Sequence, residues 1–267
     1  MLASLFRKLV DFSPNMSVKL WKFFYEIAAS YFRNMKEWKY MNYGFATPGE
    51  NSADDLNKLS ENLYNHLFNQ TDLRDKSVLE VGCGRGGGCE LALSHGPKAV
   101  TGLDFSAQVI RFCKKFYTQP ELHFVTGNAE DLPFETATFD VIINLESSHC
   151  YGNRIKFFEE VFDKLKPGGY FLYADFMGTE HLPKRPQQLA NAGFEVGELQ
   201  RITPNVLESM RLSTPFKEEI INKRVPKLFR KPIHDFAGLP GSDIYKNFDS
   251  GKITYFSIVC KKPLPNS

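Results

Sequence analysis

Val78-Leu79-Glu80-Val81-Gly82-Cys83-Gly84-Arg85-Gly86-Gly87-Gly88 sets a short apolar run, opening at Ser77, directly against a cluster of five glycines. Apolar residues in a short run read as a buried strand, and the glycines as a turn in which the backbone takes positive φ and a ligand comes close. A helix is expected from about Gly87 to His95. Strand, glycine turn and helix in that order make a nucleotide-binding unit. Gly82, Gly84 and Gly87 satisfy the G-x-G-x-x-G spacing of a dinucleotide site, so a nucleotide-binding oxidoreductase stays open. Glu80 separates the ligand classes. Two residues before Gly82, a carboxylate repels a pyrophosphate and favours a ligand that carries a sulfonium and an ammonium.

Downstream the chain alternates. Ala99–Asp104 reads as the next strand, and Ser106–Tyr117 as a helix with Ser106 as N-cap. Leu122–Thr126 and Phe139–Leu145 are further strands, Arg154–Leu165 a helix, and Tyr170–Asp175 a fifth strand behind the turn Lys166-Pro167-Gly168-Gly169. Arg185–Ala192 reads as a helix, Phe194–Ile202 as a strand and Gly251–Lys261 as a closing strand. Such alternation predicts an α/β fold with a doubly wound, mostly parallel, seven-stranded Rossmann-like sheet. Upstream, Leu56, Leu59, Leu63 and Leu67 recur at helical spacing within Asp54–Phe68. Met1 to Gly44 is aromatic and carries seven Lys/Arg against three Asp/Glu. It is expected to form a helix that packs on the domain, covers an apolar substrate or touches a membrane surface. The expected organisation is an N-terminal helical or lid segment over 1–70 and a nucleotide-binding core over 71–203. A cap of mixed helix and loop over 204–250 and a closing strand and tail over 251–267 complete it.

Two more elements address a ligand. Asp104 ends the second strand, where an acid accepts hydrogen bonds from both hydroxyls of a ribose, or else caps the following helix. After the third strand, Gly127-Asn128-Ala129-Glu130-Asp131-Leu132-Pro133-Phe134 can read an adenine edge through an amide and a backbone N–H, with Leu132 and Phe134 packing inward. These elements, followed by Phe139-Asp140-Val141-Ile142 and Leu165-Lys166-Pro167-Gly168-Gly169, together resemble the class I S-adenosylmethionine-dependent methyltransferases from about Lys76 to Asp175. The stretches Asn144-Leu145-Glu146-Ser147-Ser148-His149-Cys150-Tyr151 and Tyr170-Phe171-Leu172-Tyr173-Ala174-Asp175 look most like the phthiotriol/phenolphthiotriol dimycocerosates methyltransferases and related glycolipid and natural-product O-methyltransferases. The resemblance implies S-adenosyl-L-methionine as cofactor, held by Glu80, Gly82, Gly84, Asp104, Phe105, Asn128, Ala129, Glu130 and Leu145.

His149, beyond the fourth strand, and Asp175, at the end of the fifth, should overhang one crevice. Neutral imidazole can take the proton from a hydroxyl, an acid behind it can orient the ring, and a neighbouring sulfonium should keep the ring unprotonated. The expected activity is O-methylation of a small hydrophobic hydroxylated acceptor such as a lipid, polyketide or glycolipid. C-methylation of a sterol- or quinone-like acceptor and a non-catalytic donor-binding module are the alternatives. His66, His95, His123, His181 and His234 read as surface or core residues, Cys150 as packing, and no cluster has metal-ligand spacing. A net charge of +2 gives no basic face for nucleic acid. The five cysteines form no C-x-x-C pair, which fits a reducing, cytoplasmic setting. No apolar run reaches the roughly 18–20 residues of a membrane span, and Met1–Ser13 lacks the pattern of a secretory signal. Peripheral membrane contact stays open, and the oligomeric state is not legible.

Overall fold

A computed structural model describes residues 39–50 and 56–265. The helix expected in the aromatic N-terminal stretch lies outside the described residues up to residue 38, and the helix expected from Asp54 is described from Leu56.

The first strand, β1 (Ser77–Val81), is buried from Val78 to Val81, as the unbroken apolar run requires of a strand covered on both faces. It pairs in parallel with β2 (Ala99–Asp104) on one side and β4 (Phe139–Leu145) on the other. Outward from these lie β3 (Leu122–Thr126), parallel to β2, and β5 (Leu165–Gly178), parallel to β4. β8 (Ile253–Lys261) runs antiparallel to β5 along nine residue pairs. It is followed in the sheet by two short strands, β6 (Glu195–Val196) and β7 (Gln200–Arg201). The order β3-β2-β1-β4-β5-β8-β6 reverses direction between β1 and β4. A crevice opens at such a reversal, outside the carboxyl ends of the strands.

Side chains alternate across the sheet with period two. Val141, Ile143, Leu172 and Ala174 join Leu63 and Leu67 of α1 (Leu56–Phe68) in one core. The helices α2 (Gly87–Leu93), α3 (Ala107–Phe116), α6 (Thr203–Arg224) and α8 (Asp243–Asp249) add Cys89, Val109, Met210 and Phe248 to it. Ile142, Phe171 and Tyr173 face the other way, onto Phe157, Phe158 and Val161 of α4 (Arg154–Lys164) and Leu189 of α5 (Arg185–Asn191). Caps fix the helix starts: Ser106 accepts from Val109 N–H at 3.4 Å and Asn153 from Lys156 N–H at 3.1 Å.

Three expectations are corrected. The fifth strand starts at Leu165, because Lys166–Gly169 forms a bulge inside it: Phe139 pairs with Leu165 and Val141 with Tyr170. Gly168 N–H bonds Lys262 O at 2.8 Å and Lys262 N–H bonds Gly169 O at 2.9 Å, so the turn residues become sheet. The single strand expected over Phe194–Ile202 is split. Gly197 N–H still reaches Val259 O at 2.9 Å, but the chain then leaves β8 and returns only at Gln200, which makes eight strands. The stretch expected to mix helix and loop is mostly helical, with α6, α7 (Lys227–Phe236) and α8 in succession. Pro204 sits in the first turn of α6, where a missing N–H costs nothing. Among the described residues no helix is long and apolar enough to cross a membrane.

Candidate active site

The glycine turn is pinned to β2 by its own backbone: Gly82 and Cys83 N–H donate to Leu103 O at 2.8 and 3.0 Å. Gly84 N–H then donates to Asp104 Oδ2 at 3.0 Å, and Ser106 N–H to Oδ1 at 2.9 Å. Asp104 is therefore no helix cap; Ser106 does that work two residues on. Its two oxygens each keep a lone pair for a ligand. Burial raises its carboxyl above the ordinary range, and the two N–H donors oppose that rise.

A cleft with about 1170 Å³ of empty space, part of it open to solvent, runs past this turn. Gly82, Gly84, Asp104, Phe105, Asn128, Ala129, Glu130 and Leu145 all line it. Asn128 Oδ1 is turned back onto Glu130 N–H at 3.1 Å. Glu130 Oε1 accepts from Gly152 and Asn153 N–H at 2.8 and 3.1 Å, tying this loop to the start of α4. Glu80 does not line the cleft. It points behind the turn, where Tyr64 O–H donates to Oε1 at 2.6 Å and Cys89 S–H to Oε2 at 3.0 Å. Burial pushes its carboxyl up to about 7. Glu80, expected to meet a cationic ligand, lies beneath the glycines, where β1 turns its side chain toward Tyr64 of α1 and Cys89 of α2.

Beyond β4 the chain forms a single 3-10 turn, Ser148–Cys150, which brings His149 to Asp175. His149 Nδ1 lies 2.8 Å from Asp175 Oδ1, and His149 N–H donates to Oδ2 at 3.0 Å. Asp175 is almost wholly buried and also accepts from Ser148 O–H at 2.5 Å and Phe176 N–H at 2.8 Å. The Phe176 ring packs 4.4 Å from the imidazole, centre to centre. Burial opposes ionisation of Asp175, but the His149 charge and the hydrogen bonds outweigh it and hold the carboxyl below its usual range. For His149 burial likewise opposes the charge, and Cys150 and Asp175 overcome it, so the ring holds its proton well above the ordinary range. The expected neutral ring is thus not a property of the site by itself. His149 stands beside the cleft; its chain neighbours Ser147, Cys150 and Tyr151 line it.

Two further elements line the cleft, of which Glu146 was not expected and the other belongs to the segment expected to cover a substrate. Glu146 follows β4 with φ 47° and accepts from Tyr43 N–H and Tyr255 O–H, both at 2.9 Å. Burial pushes its carboxyl up to about 7. An acid just past the fourth strand, as Asp104 ends the second, was the available signal. The segment Lys39–Asn42 also lines the cleft, and the chain just after it is stitched to α1 and α6 through Phe45 N–H to Leu59 O at 2.8 Å and Ser209 O–H to Tyr43 O at 2.8 Å.

Residues 79–173 match the family described as a methyltransferase domain. A phthiotriol/phenolphthiotriol dimycocerosates methyltransferase of Mycobacterium tuberculosis is 35% identical over 205 residues, 76% of this chain and 76% of that one. The chain belongs to this methyltransferase family. A fatty-acid O-methyltransferase of Mycolicibacterium smegmatis is 34% identical over 230 residues, 84% of this chain and 83% of its own. The fold is also that of a geranyl diphosphate C-methyltransferase from Streptomyces coelicolor, solved with S-adenosyl-L-homocysteine. Here the TM-score is 0.64 at 17% identity, over 89% of this chain and 97% of that one.

The enzyme is an S-adenosylmethionine-dependent methyltransferase. Its cleft fits that cofactor: a carboxylate with two lone pairs to spare stands at the end of β2, beside a turn too close to its neighbours for side chains. A Cβ on Gly87 would meet Lys39 O at 2.8 Å, and one on Gly127 would meet Leu103 at 2.7 Å.

Proposed function

We propose that this methyltransferase methylates the oxygen of a hydroxyl on a small hydrophobic, lipid-like acceptor, with His149 as general base and Asp175 orienting it. The observation that carries this reading is the 2.8 Å contact between His149 Nδ1 and Asp175, beside the cleft and behind the turn that closes it. S-adenosylmethionine, when bound, supplies a methyl group on a positively charged sulfur. Gly82, Gly84, Phe105, Asn128, Ala129, Glu130 and Leu145 form its walls, and Asp104 receives its ribose hydroxyls. Asp175 commits Nδ1, so Nε2 is the nitrogen that would take the acceptor's proton as its oxygen gained the methyl group, the pair of the broken carbon–sulfur bond staying on the sulfur. A positive charge bound in the cleft disfavours a second one on the ring, which lowers the raised His149 pKa toward the range where it can act as a base.

General-base action of this kind contributes about 10²–10⁴ in rate. Alignment of acceptor oxygen and methyl carbon supplies more, roughly 7–11 kcal/mol. Residues 1–70 and the helices between 204 and 250 serve in this reading as the acceptor's cover over the core 71–203, with 251–267 closing the sheet. The five cysteine thiols accord with a reducing, cytoplasmic setting.

A second reading takes a carboxylate as acceptor, and the likeness to a fatty-acid O-methyltransferase favours it. A carboxylate is already ionised near neutral pH and needs no base. The two readings separate in one experiment, in which labelled donor is supplied with a long-chain alcohol or with the fatty acid of equal length. An alkali-stable ether methyl whose formation falls about tenfold or more in His149→Ala is expected. An alkali-labile ester formed equally fast by that variant, or label on carbon, overturns the hydroxyl reading.

A further inference from the structure

The strand that leads to His149 is followed by an acid that the transfer itself does not use. Glu146 is one of three non-glycine residues at positive φ among the described residues. A side chain there costs about 1–2 kcal/mol, and the surroundings hold it in place. Its N–H donates to Ala174 O at 2.9 Å, carrying the β4–β5 pairing one residue past the strand. Its carboxylate accepts from Tyr43 N–H and from the O–H of the fully buried Tyr255.

Both bonds end on Oε1. Oε2 receives no hydrogen bond among the described residues, although the residue lines the cleft three positions before His149. A carboxylate fixed by one oxygen and open at the other is a hydrogen-bond acceptor waiting for a donor. Strain retained in a cleft points the same way, since relaxed backbone would serve a merely structural acid as well.

We propose that Glu146 is a positioning and specificity residue of the acceptor site: its Oε2 receives a hydrogen bond from a hydroxyl of a neutral acceptor and repels a carboxylate. This rests on the reading of the cleft as an alcohol O-methylation site. The charged and titratable groups that face Glu146 come from five elements: Tyr43 before α1, His149 after β4, Asp175 on β5, Lys217 on α6 and Tyr255 on β8. His149 and Lys217 favour its charge, Asp175 opposes it, and the charged form predominates as pH rises past about 7.

The test compares wild type, Glu146→Gln and His149→Ala at about pH 8, on a long-chain alcohol and the fatty acid of equal length. S-adenosylhomocysteine affinity and thermal unfolding serve as controls. Wild type is expected to prefer the alcohol. Glu146→Gln is expected to raise KM for the alcohol about tenfold with a smaller change in kcat, and to raise kcat/KM for the acid about tenfold. Its S-adenosylhomocysteine affinity should stay within about twofold. An alcohol-to-acid preference unchanged within about twofold in Glu146→Gln overturns the proposal. If His149→Ala still slows the alcohol reaction in that case, the alcohol reading stands without Glu146; if that variant is also silent, the reading itself has failed. Should Glu146→Gln not fold, Glu146→Asp retains the charge and is expected to keep excluding the acid while losing alcohol affinity. Free turnover of the acid by Glu146→Asp overturns the proposal equally.

Discussion

Three carboxyl groups around this cleft differ in their surroundings, and the differences decide what each can do. Asp104 spends one lone pair per oxygen on Gly84 and Ser106 and keeps the rest for a ligand. Asp104→Ala is therefore expected to weaken S-adenosylhomocysteine binding by at least about tenfold, or about 1.4 kcal/mol, measured by titration calorimetry; an unchanged affinity would place the ribose elsewhere. Glu80 sits under the turn between Tyr64 and Cys89, with its carboxyl near 7 and its charge incomplete at neutral pH. Glu80→Gln should then affect the cationic S-adenosylmethionine and the uncharged-sulfur S-adenosylhomocysteine alike, within about threefold of each other. A loss confined to the cationic ligand would restore the direct sulfonium contact that the sequence suggested. Asp175, held ionised by His149 and three further donors, is built to keep its charge and with it the orientation of the ring.

At the scale of elements, the β1–α2 unit depends on glycines that no other residue replaces. Gly86 has φ 81°, and a Cβ there would meet Tyr117 Cε2 at 2.6 Å and Phe124 at 3.1 Å. Both partners are buried rings, Tyr117 capping α3 and Phe124 on β3, so they cannot swing clear. Gly86→Ala is expected to destabilise the protein by about 2–4 kcal/mol, the left-handed cost plus overpacking, and denaturant unfolding would show it as a lower midpoint. An unshifted midpoint contradicts the packing described. β1, β2, β3 and β4 were legible to the residue because each is a short β-type run bounded by turn signals, mostly buried in β1, β2 and β4 and alternating in β3. The end of the sheet was less so. Lys166-Pro167-Gly168-Gly169 has the composition of a turn whether or not a neighbouring chain pairs with it, and only the return of Lys262 makes it a bulge. Glu146 escaped notice for a similar reason: its place between Tyr43 and Tyr255 depends on segments more than a hundred residues away in the chain.

The whole molecule brings its chemistry together where the strand order reverses between β1 and β4. In the proposed reading, donor residues stand at the ends of β1, β2 and β3, with His149 just beyond β4 and Asp175 inside β5, three residues before its end. Burying so many acids there has a consequence for stability. Glu80 and Glu146 hold protons up to about 7 in the folded chain against an ordinary 4.5, and His149 holds its proton above 6.5. Through these groups the folded state binds more protons than the unfolded one between about pH 4.5 and 7, and their contribution to stability falls as pH rises, at about 1.4 kcal/mol per pH unit for each fully titrating carboxyl, with His66, lowered by burial, opposing part of it. Without donor, the enzyme should unfold at a temperature several degrees higher at about pH 5.5 than at about pH 7.5. The reverse order would mean that these groups are ionised and solvated. The division of labour across the reversal is tested most directly by single-turnover methyl transfer to a long-chain alcohol, with donor bound beforehand to wild type and to His149→Ala. Donor affinity equal within about twofold and transfer slowed by about a hundredfold is the expected result, and transfer at the wild-type rate would contradict it.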